Sequence, residues 1–130
     1  MKTDLHDVQI VSPQGAECGS HFITVPRAPG ESLTGVLERA MAALHDTGAA
    51  IVSMDILGLP FAHGLAAVEA ITGPVAWPLL WIAGPRLSEA GGIQLWAESE
   101  ASVSPVTLKG QVVGSLVDTP AATICRLGGI

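Results

Sequence analysis

Between positions 33 and 44, apolar residues return at helical spacing. Leu33, Val36, Leu37, Ala40, Met41 and Leu44 fall on one side, with Glu38, Arg39, His45 and Asp46 on the other. The pattern predicts an amphipathic helix. Ser32 suits its N-cap, because a free hydroxyl there accepts from an otherwise orphaned amide. Gly48 suits its end, because glycine enters the left-handed region without a Cβ clash. From residue 50 to residue 57 the pattern changes to a nearly continuous apolar run, Ala-Ile-Val-Ser-Met-Asp-Ile-Leu, which predicts a largely buried strand. A helix feeding a buried strand is half of a crossover unit.

The remaining elements arrange themselves around that unit. Residues 8–11 are β-branched and read as a first strand, Ser12-Pro13-Gln14-Gly15 as a turn, and residues 21–25 as a second strand. Together they suggest an antiparallel hairpin. After the break at Gly58-Leu59-Pro60, a weakly amphipathic second helix runs through Ala62, Leu65, Ala66, Val68, Glu69 and Ile71 and ends at Thr72-Gly73-Pro74. Residues 75–83 read as a strand in which Pro78 argues for an edge or a bulge. On it Trp77, Leu79 and Trp81 share one face, and Ala76, Leu80 and Ile82 the other. Residues 84–92 read as a loop. Residues 93–99 alternate, grouping Gln94, Trp96 and Glu98. A hairpin turning at Lys109-Gly110 is expected within residues 106–114, and a last apolar strand at residues 122–127. The order predicts an α+β fold, a mixed sheet with two helices on one face, in one domain spanning residues 1–130.

Composition adds two constraints. Hydrophobic residues make up 48% of the 130-residue chain against 14% charged, with no tyrosine. That surplus is more than a small domain buries alone, so self-association or a partner domain is expected. The net charge is −6 and the six basic residues are scattered, leaving no basic patch to neutralise phosphates, so nucleic-acid binding is excluded. The longest uncharged apolar stretch, residues 70–85, is short and interrupted by Gly73, Pro74 and Pro78; no membrane span is expected. Charged residues in place of an apolar leader, and two distant cysteines (Cys18 and Cys125), fit a reduced cytoplasmic protein.

Several stretches carry a family resemblance. They are Val75-Ala76-Trp77-Pro78-Leu79-Leu80-Trp81-Ile82-Ala83-Gly84, then Gly92-Ile93-Gln94, then Gly110-Gln111-Val112-Val113-Gly114-Ser115. With the two helix units they resemble the RidA/YjgF superfamily of imine deaminases, and in particular the amino-terminal half of two-domain RidA-like proteins related to chorismatases. Cys125-Arg126-Leu127-Gly128-Gly129-Ile130 resembles the opening strand of the second half. The resemblance implies a chorismate-mutase-like fold, no cofactor, and small-molecule clefts between subunits of a homotrimer or between two RidA-like halves, with residues 117–130 opening the second half.

The same resemblance exposes departures. Deaminating members hold the substrate carboxylate with an edge-strand arginine, for which a bidentate guanidinium is suited. Trp77 falls in its place, Leu79 in place of a nearby cysteine, and Trp96 or Glu98 in place of a glutamate. Arg86 and Arg126 are the arginines left near the inferred cleft to take over carboxylate binding. Trp77, Trp81 and Trp96 are candidate cleft walls, packing in a core or interface being the competing reading. Glu98, with Glu100 two residues on, is a candidate general base; a solvated strand face is the competing reading. His6, His21, His45 and His63 have no ligand spacing, so no metal is expected. Cys18 has no visible activating partner. GxSxG, GxxxxGK and strand-borne GxGxxG motifs are absent. Two functions remain: a binding or assembly domain with a degenerate deaminase site, or a hydrolase of a small imine, enamine or cyclic carboxylate.

Overall fold

The computed structural model describes residues 7–12, 19–58, 64–82, 91–120 and 122–128. Helix α1 spans Leu33–Thr47. Ser32 caps it, its Oγ accepting from the Gly35 amide at 3.2 Å, and Gly48 ends it in the left-handed region at φ 67°. His45 lies in its last turn, where a cation complements the helix dipole. Its inward face is Val36, Leu37, Ala40, Ala43 and Leu44. Each of the large side chains among them contributes about 1.5–3 kcal/mol on burial.

Strand β1 (Gln9–Val11) pairs antiparallel with β2 (Ser20–Pro26), as the hairpin pattern predicts; residues 13–18, which carry the expected turn, lie outside the described residues. Strand β3 (Ala50–Leu57) follows α1, and helix α2 (Gly64–Thr72) follows β3 and ends at Gly73, φ 80°. Ala62 lies outside the described residues. Strand β4 is shorter than predicted, Leu79–Ile82, and pairs parallel with β3 at the sheet edge. Pro78 sets its start: proline has no N–H to give a ladder, yet its carbonyl still accepts from the Met54 amide at 3.0 Å. Trp77 therefore precedes the strand instead of sharing a face within it. Strand β5 (Gly92–Glu98) inserts between β2 and β3, antiparallel to both, giving the order β1-β2-β5-β3-β4. The units β2-α1-β3 and β3-α2-β4 are thus both crossovers. Both helices bury residues against one face of this sheet, where Ile23, Val25, Met54, Ile56, Ile93, Leu95 and Ala97 form the core with α1 and Val68 of α2.

One expectation needs correcting. The later strands do not extend the first sheet; β6 (Ser102–Leu108), β7 (Gln111–Asp118) and β8 (Thr123–Leu127) form an antiparallel sheet of their own. The β6–β7 hairpin turns at Lys109-Gly110, both at positive φ (51° and 80°), the geometry a two-residue primed turn requires. The two sheets meet at β3. Its pairing with β5 shifts register between Ile51 and Ser53, leaving Val52 without a place in that ladder, and the buried Ser115 of β7 donates to the Val52 carbonyl at 2.6 Å. A bulge thus presents the acceptor that ties the second sheet on.

Candidate functional site

Because side chains alternate along a strand, the residues of the first sheet that do not face the helices share the opposite face. The register arranges them in rows. Ser20 stands opposite Glu98; Phe22, Trp96 and Ser53 form the next row; Thr24, Gln94, Asp55 and Leu80 form the third. Phe22, Thr24, Ser53, Asp55, Gln94 and Trp96 line a concavity of about 430 Å³, which Arg126 of β8 also borders. A smaller cavity of about 110 Å³ adjoins it, sharing Ser53, Asp55 and Arg126 and bounded further by Pro78 and Leu80.

The aromatic part of this face is held by specific contacts. Phe22 and Trp96, opposite each other on β2 and β5, stack with ring centroids 6.0 Å apart and planes at 22°. The Trp96 Nε1–H donates to Oε1 of Glu98 at 2.8 Å, and the Ser20 hydroxyl donates to the same oxygen. Glu98 is only 3% exposed. Among the described residues no donor reaches its Oε2.

Arg126 comes from the other sheet. It is paired with Ser115 across β7–β8, so the two share a face, and Ser115 points at β3. The guanidinium is thereby brought over the Trp96 ring, 5.8 Å from its centroid, within cation–π range. Among the described residues no carboxylate lies within ion-pair distance of it, nor any cation within that distance of Asp55.

The structure brings together three of the sequence-derived candidates, Trp96, Glu98 and Arg126, and separates two. Trp77 is 7% exposed and belongs to the helix-side core, and Trp81, opposite Ile56, packs against that same core. Arg86 and Cys18 lie outside the described residues, as do His6 and His63. Glu100 does not continue the strand face of Glu98: it follows the end of β5 with φ 55° and is exposed. His21 sits on β2 between Ser12 and Ser99, its ring nitrogens 2.8 and 3.2 Å from their hydroxyls. Cys125 is an exposed free thiol on β8.

Phe22, Thr24, Ser53, Asp55 and Gln94 complete the site. Ser53 and Asp55 carried a readable signal, two polar residues two apart inside an apolar strand. That spacing puts them on one face and marks the face as incompletely covered.

The chain matches no protein-family model, no curated protein and no solved structure. Among the described residues no helix is long and apolar enough to cross a membrane.

Proposed function

We propose that this chain is a RidA/YjgF-like domain of chorismate-mutase-like fold, with a degenerate deaminase site, that binds a small molecule on the open face of its five-stranded sheet. It does so within an assembly, a homotrimer or a pairing with a second RidA-like half. The fold-level support is the mixed sheet with both helices on one face and two crossovers. The degenerate site is supported by Trp77, a buried indole where the resemblance calls for an accessible guanidinium.

The observation that carries the binding reading is Arg126. Its guanidinium stands over Trp96 at the mouth of a concavity whose volume, about 430 Å³, suits a small ligand. A guanidinium free of carboxylate partners among the described residues is a site for an anion such as a carboxylate. Titration of the purified chain with benzoate, followed by tryptophan fluorescence, tests it. Saturable quenching that Arg126→Gln removes is expected; a response identical in the variant refutes the role of Arg126.

A second reading, hydrolysis of a small imine or enamine on this face, draws on Glu98. One of its oxygens is fixed by two donors while the other has none among the described residues, the arrangement of an oriented base. Hydrolysis of freshly generated 2-aminoacrylate, with Glu98→Ala as the control and solution mass recorded on the same sample, decides it. Turnover lost in a variant that keeps its circular dichroism and solution mass supports this reading, and turnover unchanged refutes it.

A further inference from the structure

We infer that the ligand of the open face is a zwitterionic α-amino acid with an apolar or aromatic side chain. The inference deepens the small-molecule reading above and rests on it.

Two opposite charges flank the same space. Asp55 projects from β3, half-buried, in the row of Gln94 and Leu80. Arg126 reaches down from β8. Both line the 430 Å³ concavity, and both line the 110 Å³ cavity beside it. A ligand seated in the smaller cavity therefore has both groups on its walls. They nevertheless lie beyond the 4.0 Å of an ion pair, and neither has another charged partner among the described residues.

A half-buried carboxylate and a guanidinium on the walls of one cavity, both unpaired among the described residues, define a gap that a ligand carrying both charges fills. Its ammonium donates to Asp55, which accepts only, and its carboxylate accepts from Arg126, which donates only. A simple anion would satisfy Arg126 and leave Asp55 repelling it; a simple cation would do the reverse. Ser53, also shared by the two cavities, adds a hydroxyl beside the charged head. The side chain is then directed into the larger concavity, where Phe22 and Trp96 provide an apolar wall. Phe22 is 43% exposed, so the wall is open to it.

Calorimetric titration of the whole chain with L-phenylalanine, 3-phenylpropionate and phenethylamine separates the possibilities. These probes share the ring and differ only in the charges they carry. Phenylalanine is expected to bind roughly tenfold or more tightly than either single-charge analogue. Asp55→Asn should remove its advantage over 3-phenylpropionate, and Arg126→Gln its advantage over phenethylamine, with circular dichroism unchanged in both. If 3-phenylpropionate or phenethylamine binds as tightly as phenylalanine, the zwitterion inference falls while the binding reading stands. If none of the three binds, both fall.

Discussion

The indole Nε1–H of Trp96 donates to Oε1 of Glu98, 2.8 Å away and two residues along the same strand. A buried carboxylate thereby sets the angle of the ring that Arg126 covers and Phe22 stacks on. The same oxygen takes the Ser20 hydroxyl, so Glu98 also joins the ends of β2 and β5.

Removing that acceptor strands two donors. Glu98→Ala is expected to destabilise the chain by about 1–3 kcal/mol, because the part-buried hydroxyl and indole N–H lose their partner. Glu98→Gln, which keeps an amide oxygen in place, should lose markedly less. Urea denaturation of the three proteins reads both; equal midpoints would mean that the carboxylate adds nothing to the fold.

The joint between the sheets offers a second test. Ser115 is fully buried and donates to the carbonyl of Val52, the residue skipped in the β3–β5 register. Ser115→Ala leaves that carbonyl without its donor and should cost about 1–3 kcal/mol. Hydrogen exchange should rise in β7 and β8 more than in β2 and β5, since the lost bond ties the smaller sheet to the larger. A uniform rise across both sheets would show that the joint is not the local weak point.

Much of the first sheet was legible because its signals are local. Helix α1 announces itself through its period, Ser32 and Gly48, and both caps form as their chemistry dictates. The alternation of Gln94, Trp96 and Glu98 likewise fixes a shared face before any partner is known. What alternation does not fix is which face the helices cover. Trp81 and Trp96 therefore looked equivalent in the sequence, although one packs under the helices and the other on the open side. The separate second sheet was hidden for a different reason. Its attachment depends on a bond between Ser115 and Val52, 63 positions apart, and on a bulge that leaves no mark in the composition. Arg126 reaches Trp96 only through that attachment, so its position in the site follows from topology.

Gly92 is the point where the central strands tolerate least. It opens β5 at φ 151°, opposite both Pro26 and Leu57, and a Cβ built there would lie 2.2 Å from the Val25 carbonyl oxygen. Neither backbone is free to retreat in the middle of a sheet. Gly92→Ala is expected to destabilise by about 3 kcal/mol or more, through backbone strain and lost ladder bonds together. The contrast is Gly110→Ala at the β6–β7 turn, where φ is also positive but nothing lies within 4 Å of the added carbon. There the loss should be about 1 kcal/mol. Thermal unfolding of the two variants side by side gives the ranking, and a Gly92 variant as stable as the Gly110 one would contradict the packing argument.

The entry to α1 makes stability depend on pH. Arg39 holds Glu31 through Nε at 2.9 Å and Nη2 at 2.6 Å, and the same Nη2 donates to the Pro26 carbonyl. The Ala28 amide adds a bond to Glu31 Oε1 at 3.0 Å. The hydrogen bond from Arg39 is the main reason the Glu31 carboxyl is held below its ordinary value, with the Ala28 amide and the charges of Arg39 and Arg27 acting the same way against desolvation. A carboxyl whose folded pKa is depressed binds protons more readily in the unfolded chain. Its contribution is therefore complete above the unfolded value, about 4.3, and disappears as the pH falls through the lower folded value. Unfolding free energies measured from pH 6 downward should show a loss that begins near that unfolded value. Glu31→Gln should be less stable at neutral pH and should lose less on acidification, so that the two curves converge at low pH. Parallel curves would mean that Glu31 titrates alike in both states, and that the Arg39 clamp is structural without being linked to protons.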